Sequence, residues 1–597
     1  MTASAELIQR AFAAYRRGEL DAAQTALNAL HDQAPRDVNA AHLQALVSRK
    51  YGDAAGSEGW FRHALRLSPG DGDILNNYAN LLSSSGRFWE AAARWADAFK
   101  AQPAKIEYKI AQIGALLSAD LPHLAQSAAD ELLSAGGEIP ARGWTIAGRA
   151  HQAAQAPERA AECYREALRL APEDQAAASG LIDVLGGLGR IEEAETCFAE
   201  RGRDVQAEAA IARARLFNAR QDAALADFRR LYDQSGDPRR LRDLAQGLWV
   251  AGREEAFDAL IAAVADTGKP GLVAMAADCL AQIDREADAL TLLDRLPANA
   301  FEAGGLLSLR AKLRQAIGDV DGALADSRIA YEADPNDQGV ATGFAVAALM
   351  AGDLDAAERV IAVNRERLPL NQGWVAYQIT LWRLQGDARA DALEDYDRFV
   401  VPYELPAAGG FKSGAALNEA LREVLAERHF MAAEPFNQSL RAGRQTPRSL
   451  LSDPSPVVQA YLEALRTPIA AYIEAMGRDP DHLLTSRNTG AFKLSGCWSV
   501  QLFGGGRHVN HFHPAGWISS AYYVDVPEKT LKSDRLGGCI KFGEPSFTTR
   551  PKQLEAGKIV RPQPGMLVLF PSYMWHGTVP IEPGETRMTA PFDVVPA

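Results

Sequence analysis

The sequence predicts a multidomain protein in which an all-α solenoid of paired helices is followed by a jelly-roll domain with flanking helices. Prolines recur at intervals of 34 residues, at Pro35, Pro69 and Pro103 and again at Pro335 and Pro369. From Phe492 onward, short runs that alternate polar and apolar residues are separated by glycine and proline turns, which is typical of short strands. At 597 residues the chain is long enough for more than one domain.

The 34-residue period is characteristic of tetratricopeptide repeats, in which each unit is a helix pair. Counted back from each proline, a small residue recurs in the first helix of the pair, at Ala11, Ala45, Ala79, Gly148, Ala311 and Ala345. A second small residue recurs in the partner helix, at Ala23, Ala91, Ala160, Ala323 and Ala357. Because small residues let two helices approach closely, we predict a repeat superhelix over residues 1–395.

Between Pro172 and Pro335 the proline spacing departs from the repeat period, although helical periodicity continues. We interpret this region as degenerate repeats with altered loop lengths. A single helix pair cannot bury its own apolar face, so neighbouring pairs stack into a superhelix with a concave surface. Such surfaces commonly hold extended peptides or partner proteins, and we expect a protein or peptide substrate on this one.

Residues 396–414 interrupt the repeat pattern with an aromatic, proline-containing run and a stretch of alanine and glycine. This composition predicts a linker. Helices are expected over residues 415–429 and 456–476, before the strands begin. The β-rich domain with its flanking helices is therefore predicted to span residues 415–597.

The composition argues against several classes of protein. A net charge of −13 and a pI near 5.5, with the charges interspersed, argue against a nucleic-acid-binding surface. No stretch approaches the roughly 18 apolar residues of a membrane span, so we expect no membrane partner. The five cysteines are scattered without Cys-x-x-Cys spacing, which fits a reducing compartment. We expect a cytoplasmic protein.

Three histidines form the principal candidate site. Side chains alternate between the two faces of a strand, so His511 and His513 point to one face while His508 points to the other. His576 follows an apolar run, 566–570, that predicts a buried strand. Two imidazoles on one face, joined by a third from a distant strand, can hold a divalent metal and leave coordination positions open for chemistry.

A cation and a hydroxyl group follow the third histidine. Arg587 begins another strand-like run, and Thr589 shares its face. A guanidinium matches the geometry of a carboxylate with paired hydrogen bonds. Close to a metal, these two side chains suit the far carboxylate of a dicarboxylate.

This pattern resembles the iron(II)- and 2-oxoglutarate-dependent oxygenases, whose signature is His-x-Asp/Glu, a distal His and then an Arg. The similarity extends through residues 517–524, 537–542 and 570–572. Together these runs look like a branch of oxygenases often joined to tetratricopeptide repeats. The resemblance implies a double-stranded β-helix, with His511 and His576 as iron ligands and with Arg587 and Thr589 on the cosubstrate.

Three further residues are candidates for contacts with substrate or cosubstrate. Tyr523 lies on a predicted strand from which it can reach the cosubstrate, although a tyrosine there also suits the core. The polar segment 436–446 resembles a stretch that precedes the catalytic core in the same oxygenase branch. Within it, Arg441 and Gln445 can contact substrate or cosubstrate; a solvated loop is the alternative interpretation.

One position departs from the pattern of the family. Its carboxylate ligand comes two residues after the first histidine, and His513 occupies that position here. His513 can be the third ligand of a three-histidine site, or it can lie nearby without ligating. Alternatively, a carboxylate such as Asp525 or Asp593 can complete the site. An uncharged third ligand leaves the site one unit more positive, which makes copper or zinc conceivable beside iron.

The leading hypothesis is an iron(II)- and 2-oxoglutarate-dependent dioxygenase that hydroxylates a protein or peptide side chain recruited by the repeats. The resemblance implies iron(II) as the metal and 2-oxoglutarate as the cosubstrate. One alternative is a non-catalytic repeat scaffold with a degenerate metal-binding jelly roll. Another is an oxygenase that acts on a small molecule or lipid, with the repeats serving only to tether it.

Overall fold

A computed structural model describes residues 3–201, 204–302, 304–532, 535–550 and 552–597. The chain divides into two compact units, Met1–Ala154 and Gln155–Ala597. The predicted repeat domain begins at residue 1, and residues 1 and 2 lie outside the described part. Helix pairs are followed by an antiparallel β domain, so the predicted fold class is confirmed.

The described part of the first unit consists of four helix pairs and a ninth helix. Its helices are α1 (Ala3–Arg17), α2 (Leu20–Gln33), α3 (Val38–Lys50), α4 (Ala54–Leu67), α5 (Gly72–Ser84), α6 (Phe88–Ala101), α7 (Ile106–Ser118), α8 (Pro122–Ser134) and α9 (Ala141–Ala153). The small residues Ala11, Ala45 and Ala79 are fully buried, as expected where helices approach closely. Gly18 and Gly86 end the first helices of their pairs with φ angles of 78° and 73°, which glycine adopts without steric cost.

The second unit begins with further helix pairs. They are α10 (Pro157–Leu170), α11 (Gln175–Gly187), α12 (Ile191–Arg201), α13 (Val205–Leu216), α14 (Gln221–Ser235), α15 (Pro238–Val250), α16 (Glu254–Asp266), α17 (Pro270–Ala281), α18 (Glu286–Leu293), α19 (Gly304–Ile317), α20 (Val320–Ala333), α21 (Gln338–Ala351), α22 (Leu354–Arg367) and α23 (Gln372–Gln385), then the short α24 (Arg389–Leu393) and α25 (Tyr396–Phe399). Paired helices thus continue through the region where the proline spacing is irregular. Its short α18 is one source of that irregularity.

The β domain is built from antiparallel strands and four helices. The strands are β1 (Val401–Glu404), β2 (Leu440–Gln445), β3 (Phe492–Cys497), β4 (Val500–His508), β5 (Ile518–Asp525), β6 (Ile540–Phe542), β7 (Lys558–Val560), β8 (Met566–Pro571), β9 (His576–Thr578), β10 (Arg587–Thr589) and β11 (Phe592–Pro596). The helices are α26 (Gly414–Ala426), α27 (Pro456–Ala464), α28 (Arg466–Met476) and α29 (Glu528–Lys532).

Two sheets form the β domain, as expected for a jelly roll. The larger has the order β1-β8-β5-β10-β4-β2, with β11 pairing β3 and β5, and the smaller has the order β7-β6-β9. Phe542 of the small sheet packs against Phe570 of the large sheet, with ring centroids 5.0 Å apart. The strand that carries His576 therefore faces the large sheet across an aromatic layer.

Residues 396–414, predicted to form a linker, contribute an edge strand to the large sheet. Residues of β1 pair with β8, with Val401 opposite Leu569. Pro402 lacks a backbone N–H, and proline is tolerated at a sheet edge because no ladder hydrogen bond is lost there. Phe399, just before the strand, is fully buried in the core of the β domain. This segment is therefore part of the β domain.

Helices of the repeat region and the β domain share contacts within the second unit. Met431 and Phe436, which precede β2, are buried in the hydrophobic cluster formed by helices α13 to α19. Asp284, in the turn between α17 and α18, accepts hydrogen bonds from Arg441 at 2.5 Å and from Arg507 at 3.0 Å. These contacts fasten β2 and β4 to the repeat helices.

Membrane spans and disulfide bonds are both absent from the described residues. No described helix combines the length and the apolar character needed to cross a membrane. All five cysteines are buried and none forms a disulfide bond. Burial raises the pKa of the Cys197 and Cys539 thiols, which favours their protonated form.

Candidate metal centre

The structure brings His511, His513 and His576 together. The backbone N–H of His511 donates to the carbonyl oxygen of His576 at 2.8 Å, and the reverse bond measures 2.9 Å. The backbone N–H of His513 donates to the carbonyl oxygen of Ser572 at 2.9 Å. One ring nitrogen of each histidine lies within 4.8 Å of one ring nitrogen of each of the others. Backbone pairing between two distant segments therefore builds the cluster.

Each of these three imidazoles has its Nδ1 atom beside an oxygen acceptor. Nδ1 of His511 lies 2.8 Å from the carbonyl oxygen of Val509, and Nδ1 of His576 lies 3.0 Å from that of Met574. Nδ1 of His513 lies 2.7 Å from the carboxylate of Asp593. A carbonyl or carboxylate only accepts, so Nδ1 carries the proton and the lone pair of Nε2 is free. This arrangement is typical of histidines that bind metals.

Asp593 on β11 supports the cluster from behind. Both of its carboxylate oxygens lie 2.7 Å from Nδ1 of His513, and the Ser519 hydroxyl donates to one of them at 2.7 Å. Burial disfavours the charged imidazolium of His513, but the charge and hydrogen bond of Asp593 raise its pKa overall. Burial lowers the pKa of His511 to about 3 and that of His576 well below its ordinary value, so both are neutral.

Asp525 and Asp593 were considered above as alternative third ligands of the metal. Asp593 binds the far side of His513, and neither Asp593 nor Asp525 belongs to the group of converging ligand atoms. Asp525 lies at the end of β5, opposite Met588. Among described residues, the donor set is therefore three imidazoles with one carboxylate behind them.

We expect Asp593→Asn to weaken iron(II) affinity about 10- to 100-fold, the usual effect of removing a hydrogen-bonded partner of a metal ligand. Asparagine keeps an acceptor for His513 but removes the negative charge. Competition titration against a metallochromic chelator measures the change, and Asp525→Asn is the matched control, with wild-type affinity. An affinity of Asp593→Asn equal to that of the wild type would contradict a supporting role for this carboxylate.

Arg587 lies buried without a carboxylate partner. The residue is 3% exposed, and its guanidinium donates to the carbonyl oxygen of Gly538 at 2.9 Å and to the Thr578 hydroxyl at 3.3 Å. Its Nε–H has no hydrogen-bond partner among the described residues. Burial lowers the pKa of Arg587, and Tyr523 and Cys539 offset this effect only in part. A buried, incompletely bonded cation of this kind is suited to bind an anion.

Arg587 is linked to the histidine cluster through strand β9. Thr578, which accepts from Arg587, lies two residues after His576 on the same strand face. Two residues of extended chain span about 7 Å. A molecule that reaches from the histidine cluster to the guanidinium therefore needs a few bonds between its two ends.

Thr589, Tyr523 and Gln445 lie in one row across the large sheet. Thr589 is opposite both Val500 and Tyr523, and Gln445 is opposite Val500 on its other side. Residues directly opposite in antiparallel strands share a face, so these side chains share the face of Arg587. The Arg587 guanidinium carbon lies 5.6 Å from the centre of the Tyr523 ring. Burial raises the pKa of Tyr523 to about 12, which keeps its phenol neutral.

Arg441 has several hydrogen-bond partners outside the histidine cluster. Besides Asp284, it donates to the carbonyl oxygens of Gln438 and Leu440 at 2.7 and 2.9 Å. These bonds occupy its guanidinium in the contact between β2 and the repeat helices. These bonds give Arg441 a structural role, and its contact with substrate or cosubstrate stays a prediction.

Two residues that the sequence pattern did not select lie beside the cluster. The ring centroid of His508 lies 6.0 Å from that of His511, and its Nδ1 lies 2.9 Å from the Ser439 hydroxyl. Regular alternation predicted that His508 faces away, but β4 ends at this residue and the alternation ends with it. The half-exposed Trp498 stacks beside His513 at 6.3 Å. No local sequence signal indicates this contact.

His429 is buried next to the strands of the site, with 3% of its surface exposed. Its Nε2 lies 2.9 Å from the Ser499 hydroxyl, which donates to the backbone carbonyl of Thr589 at 3.0 Å. Burial lowers the pKa of His429 to about 4, so a neutral imidazole supports β10 from behind.

Comparisons with known proteins agree with this architecture. Residues 496–593 match the family model described as "Putative 2OG-Fe(II) oxygenase". No curated protein sequence matches the chain. The match contains every histidine of the cluster together with Tyr523, Arg587, Thr589 and Asp593.

Solved structures similar to parts of the chain include tetratricopeptide repeat proteins. A tetratricopeptide repeat protein from Parabacteroides merdae is 16% identical over 39% of this chain and 94% of that one, with a TM-score of 0.30. The Naa15/Naa10 complex bound to HypK-THB is 16% identical over 65% of this chain and 68% of that one, also at 0.30. YrrB, a "TPR protein with an unusual peptide-binding site", is 20% identical over 30% of this chain and 93% of that one, at 0.25. Such scores carry no conclusion about function.

The fold, the cluster and the family match lead to one description. The chain is a helical-repeat protein with a C-terminal β domain in which residues 496–593 resemble the 2-oxoglutarate- and iron(II)-dependent oxygenases.

Proposed function

We propose that the protein is an iron(II)- and 2-oxoglutarate-dependent dioxygenase that hydroxylates a protein or peptide side chain recruited by its repeats. One observation carries the proposal. Among the described residues, Arg587 is buried without a carboxylate partner, and its guanidinium bonds Thr578, two residues after His576 in a cluster of three converging imidazoles. A metal and an anionic cosubstrate would satisfy both groups at once.

In this proposal the residues have separate tasks. His511, His513 and His576 would hold iron(II), and Arg587 would bind the far carboxylate of 2-oxoglutarate with help from Thr589 and the neutral phenol of Tyr523. Iron with 2-oxoglutarate supplies oxidative decarboxylation coupled to insertion of a hydroxyl group. The chain positions the target C–H bond and keeps water away from the centre.

Asp593 bears on the substitution of the usual carboxylate ligand by His513. An imidazole ligand is neutral, so a three-histidine site lacks one negative charge compared with the two-histidine, one-carboxylate site typical of such enzymes. Asp593 lies 2.7 Å from Nδ1 of His513. It therefore supplies a negative charge next to the proposed ligand instead of at the metal itself. A carboxylate in this position increases the basicity of the imidazole.

The repeats support a macromolecular substrate. Helices α13 to α19 bury Met431 and Phe436, and Asp284 anchors the strands next to the cluster. A partner bound on the repeat helices would therefore lie at a defined position relative to the β domain. The link to a protein substrate rests on architecture, and a cytoplasmic location fits five cysteines that form no disulfide bond.

Release of succinate tests the proposal directly. Purified protein with iron(II), 2-oxoglutarate and cell extract is expected to form succinate well above a His576→Ala control. His429→Gln is a suitable second variant because His429 lies behind β10 without touching the histidine cluster. Equal release by the wild type and His576→Ala would refute the oxygenase assignment.

The neutral ligand set also favours a second candidate, a repeat scaffold whose jelly roll is a non-catalytic metal site. Such a scaffold would bind metal without binding 2-oxoglutarate, so iron-loaded protein would show no protection from thermal unfolding by 2-oxoglutarate. An oxygenase that acts on a small molecule or lipid would instead bind both the metal and 2-oxoglutarate. Its turnover would be stimulated by the protein-free fraction of the extract.

A further inference from the structure

A pocket of about 250 Å³ lies between a turn of the repeat helices and the β domain, within the second unit. Its repeat side is formed by residues 187–189, at the turn between α11 and α12. Its other side is formed by residues of the segment 446–454, which follows β2, together with Arg428 and Phe430 from the segment after α26. We call this the Arg448 pocket.

Arg448 reaches from the β domain to the repeat turn. A Cβ added to Gly189 would clash with Nη1 of Arg448, so the guanidinium lies directly against the backbone of this turn. Gly189 also has a φ angle of 79°, which glycine adopts without steric cost. Glycine therefore serves two purposes here, since it lets the turn form and leaves room for the guanidinium.

The charges of the pocket do not balance. Its lining contains two arginines, Arg428 and Arg448, and one carboxylate, Asp453. Arg428 donates to Asp453 at 3.0 Å, whereas Arg448 forms no ion pair with any described residue. Burial lowers the pKa of Arg448, and the charge of Asp453 offsets this effect only in part. The described lining therefore has one positive charge in excess, on Arg448.

The rest of the lining suits a small molecule that has one acidic group and an apolar body. Phe430, Pro447 and Pro454 supply apolar surface, and Ser452 adds a hydroxyl group. A guanidinium matches the geometry of a carboxylate with paired hydrogen bonds. The volume of about 250 Å³ lies below the usual range of about 300–1,000 Å³ for pockets that hold drug-sized ligands. A compact ligand therefore fits best.

We propose that the Arg448 pocket binds a small organic acid with a single negative charge, whose carboxylate pairs with Arg448 and whose apolar part lies against Phe430 and Pro447. One negative charge neutralises the excess charge of the pocket, whereas a second would be partly desolvated without a partner. Such a ligand would contact both the repeat turn and the β domain. Its binding should therefore raise the melting temperature of the protein.

The test uses the full chain without metal, so it does not depend on the proposed oxygenase. Acetate, isobutyrate and benzoate are the probes, and their amides are neutral counterparts of the same shape. Ligand-observed NMR measures their affinities for the wild type, Arg448→Gln, Arg422→Gln and Arg587→Met. Arg422 is the matched control, since it lies on α26 outside the lining and pairs with Glu419. Arg587→Met separates this pocket from the buried cation beside the histidines.

The Arg448→Gln variant keeps the ion pair between Arg428 and Asp453, so we expect it to fold. Thermal unfolding followed by circular dichroism, without any probe, measures whether each variant is folded. The same measurement with the probe that binds most tightly gives the shift in melting temperature. That shift should be present in the wild type and lost in Arg448→Gln.

We expect at least one acid to bind the wild type, with its amide at least tenfold weaker. Arg448→Gln should weaken that acid at least tenfold, whereas Arg422→Gln and Arg587→Met should bind it as the wild type does. The inference is overturned if none of the three acids binds, if an amide binds as well as its acid, or if folded Arg448→Gln retains wild-type affinity. Tighter Arg448-dependent binding of inorganic phosphate overturns the assignment of a singly charged carboxylate.

Discussion

Arg587→Met is expected to lower the affinity for 2-oxoglutarate by a factor of 100 or more while leaving the metal-free fold about as stable as the wild type. In the complex, the guanidinium would be the buried partner of a carboxylate. Removing one member of such a pair costs about 3–5 kcal/mol, because the other charge is left desolvated and unpaired. A loss of about 3 kcal/mol corresponds to a factor of more than 100 in affinity.

The expected stability of Arg587→Met depends on the surroundings of Arg587 in the free protein. In the free protein, the guanidinium is 3% exposed, has no carboxylate partner and leaves its Nε–H unbonded. Methionine removes that desolvation cost but also removes the bonds to Gly538 and Thr578. The two effects oppose each other, so the free energy of unfolding should stay within about 1 kcal/mol of the wild type.

Arg441→Met is the matched control, because we expect it to lower stability and to leave the affinity for 2-oxoglutarate unchanged. Arg441 is bonded to the carboxylate of Asp284 at 2.5 Å, and its side chain is 15% exposed. Its loss should lower the free energy of unfolding by about 2 kcal/mol, with 2-oxoglutarate affinity unchanged. Isothermal titration with the iron-loaded protein and urea unfolding of the metal-free protein give the two quantities. Wild-type 2-oxoglutarate affinity in Arg587→Met would remove the central support for the proposed function.

The repeat architecture was predictable because its signal is periodic and local. Prolines and small residues at fixed spacing mark the helix boundaries and crossings, and these positions are buried as predicted, for example Ala11 and Ala345. The edge strand β1 was not predictable in the same way. Its pairing with β8 depends on a distant segment, and its local sequence, interrupted by Pro402, resembles a linker.

The histidine cluster was predictable from the family resemblance, but the strand predicted to carry His511 and His513 ends at His508, and the surroundings of the cluster were not predictable. The partner of Arg441 is Asp284, which is 157 residues away in a turn between repeat helices. The alternation also gave the wrong surroundings for His508, because β4 ends there and irregular backbone follows. Asp593 could be named as a nearby carboxylate, yet only the tertiary pairing of β11 with β5 decides that it binds His513 from behind.

His513→Ala should weaken iron(II) binding as much as His576→Ala does, because each residue contributes one ring nitrogen to the group of three that lie within 4.8 Å of one another. Metal sites with four protein ligands contribute about 10–16 kcal/mol, or about 3 kcal/mol for each ligand, so either variant should lose two to three orders of magnitude in affinity. His508→Ala is the matched control: its ring lies 6.0 Å from that of His511, outside the converging group, and iron affinity should stay within a few-fold of the wild type.

Comparing the iron(II) affinities of His513→Ala and His576→Ala shows whether two or three protein ligands hold the metal. If His513→Ala binds iron as tightly as the wild type, the centre has two protein ligands and His513 acts only through its bond to Asp593. If it matches His576→Ala, three imidazoles hold the metal. In that case Asp593→Asn should have a smaller effect than either alanine variant, because a carboxylate behind a ligand adjusts its basicity while the ligand itself forms the bond.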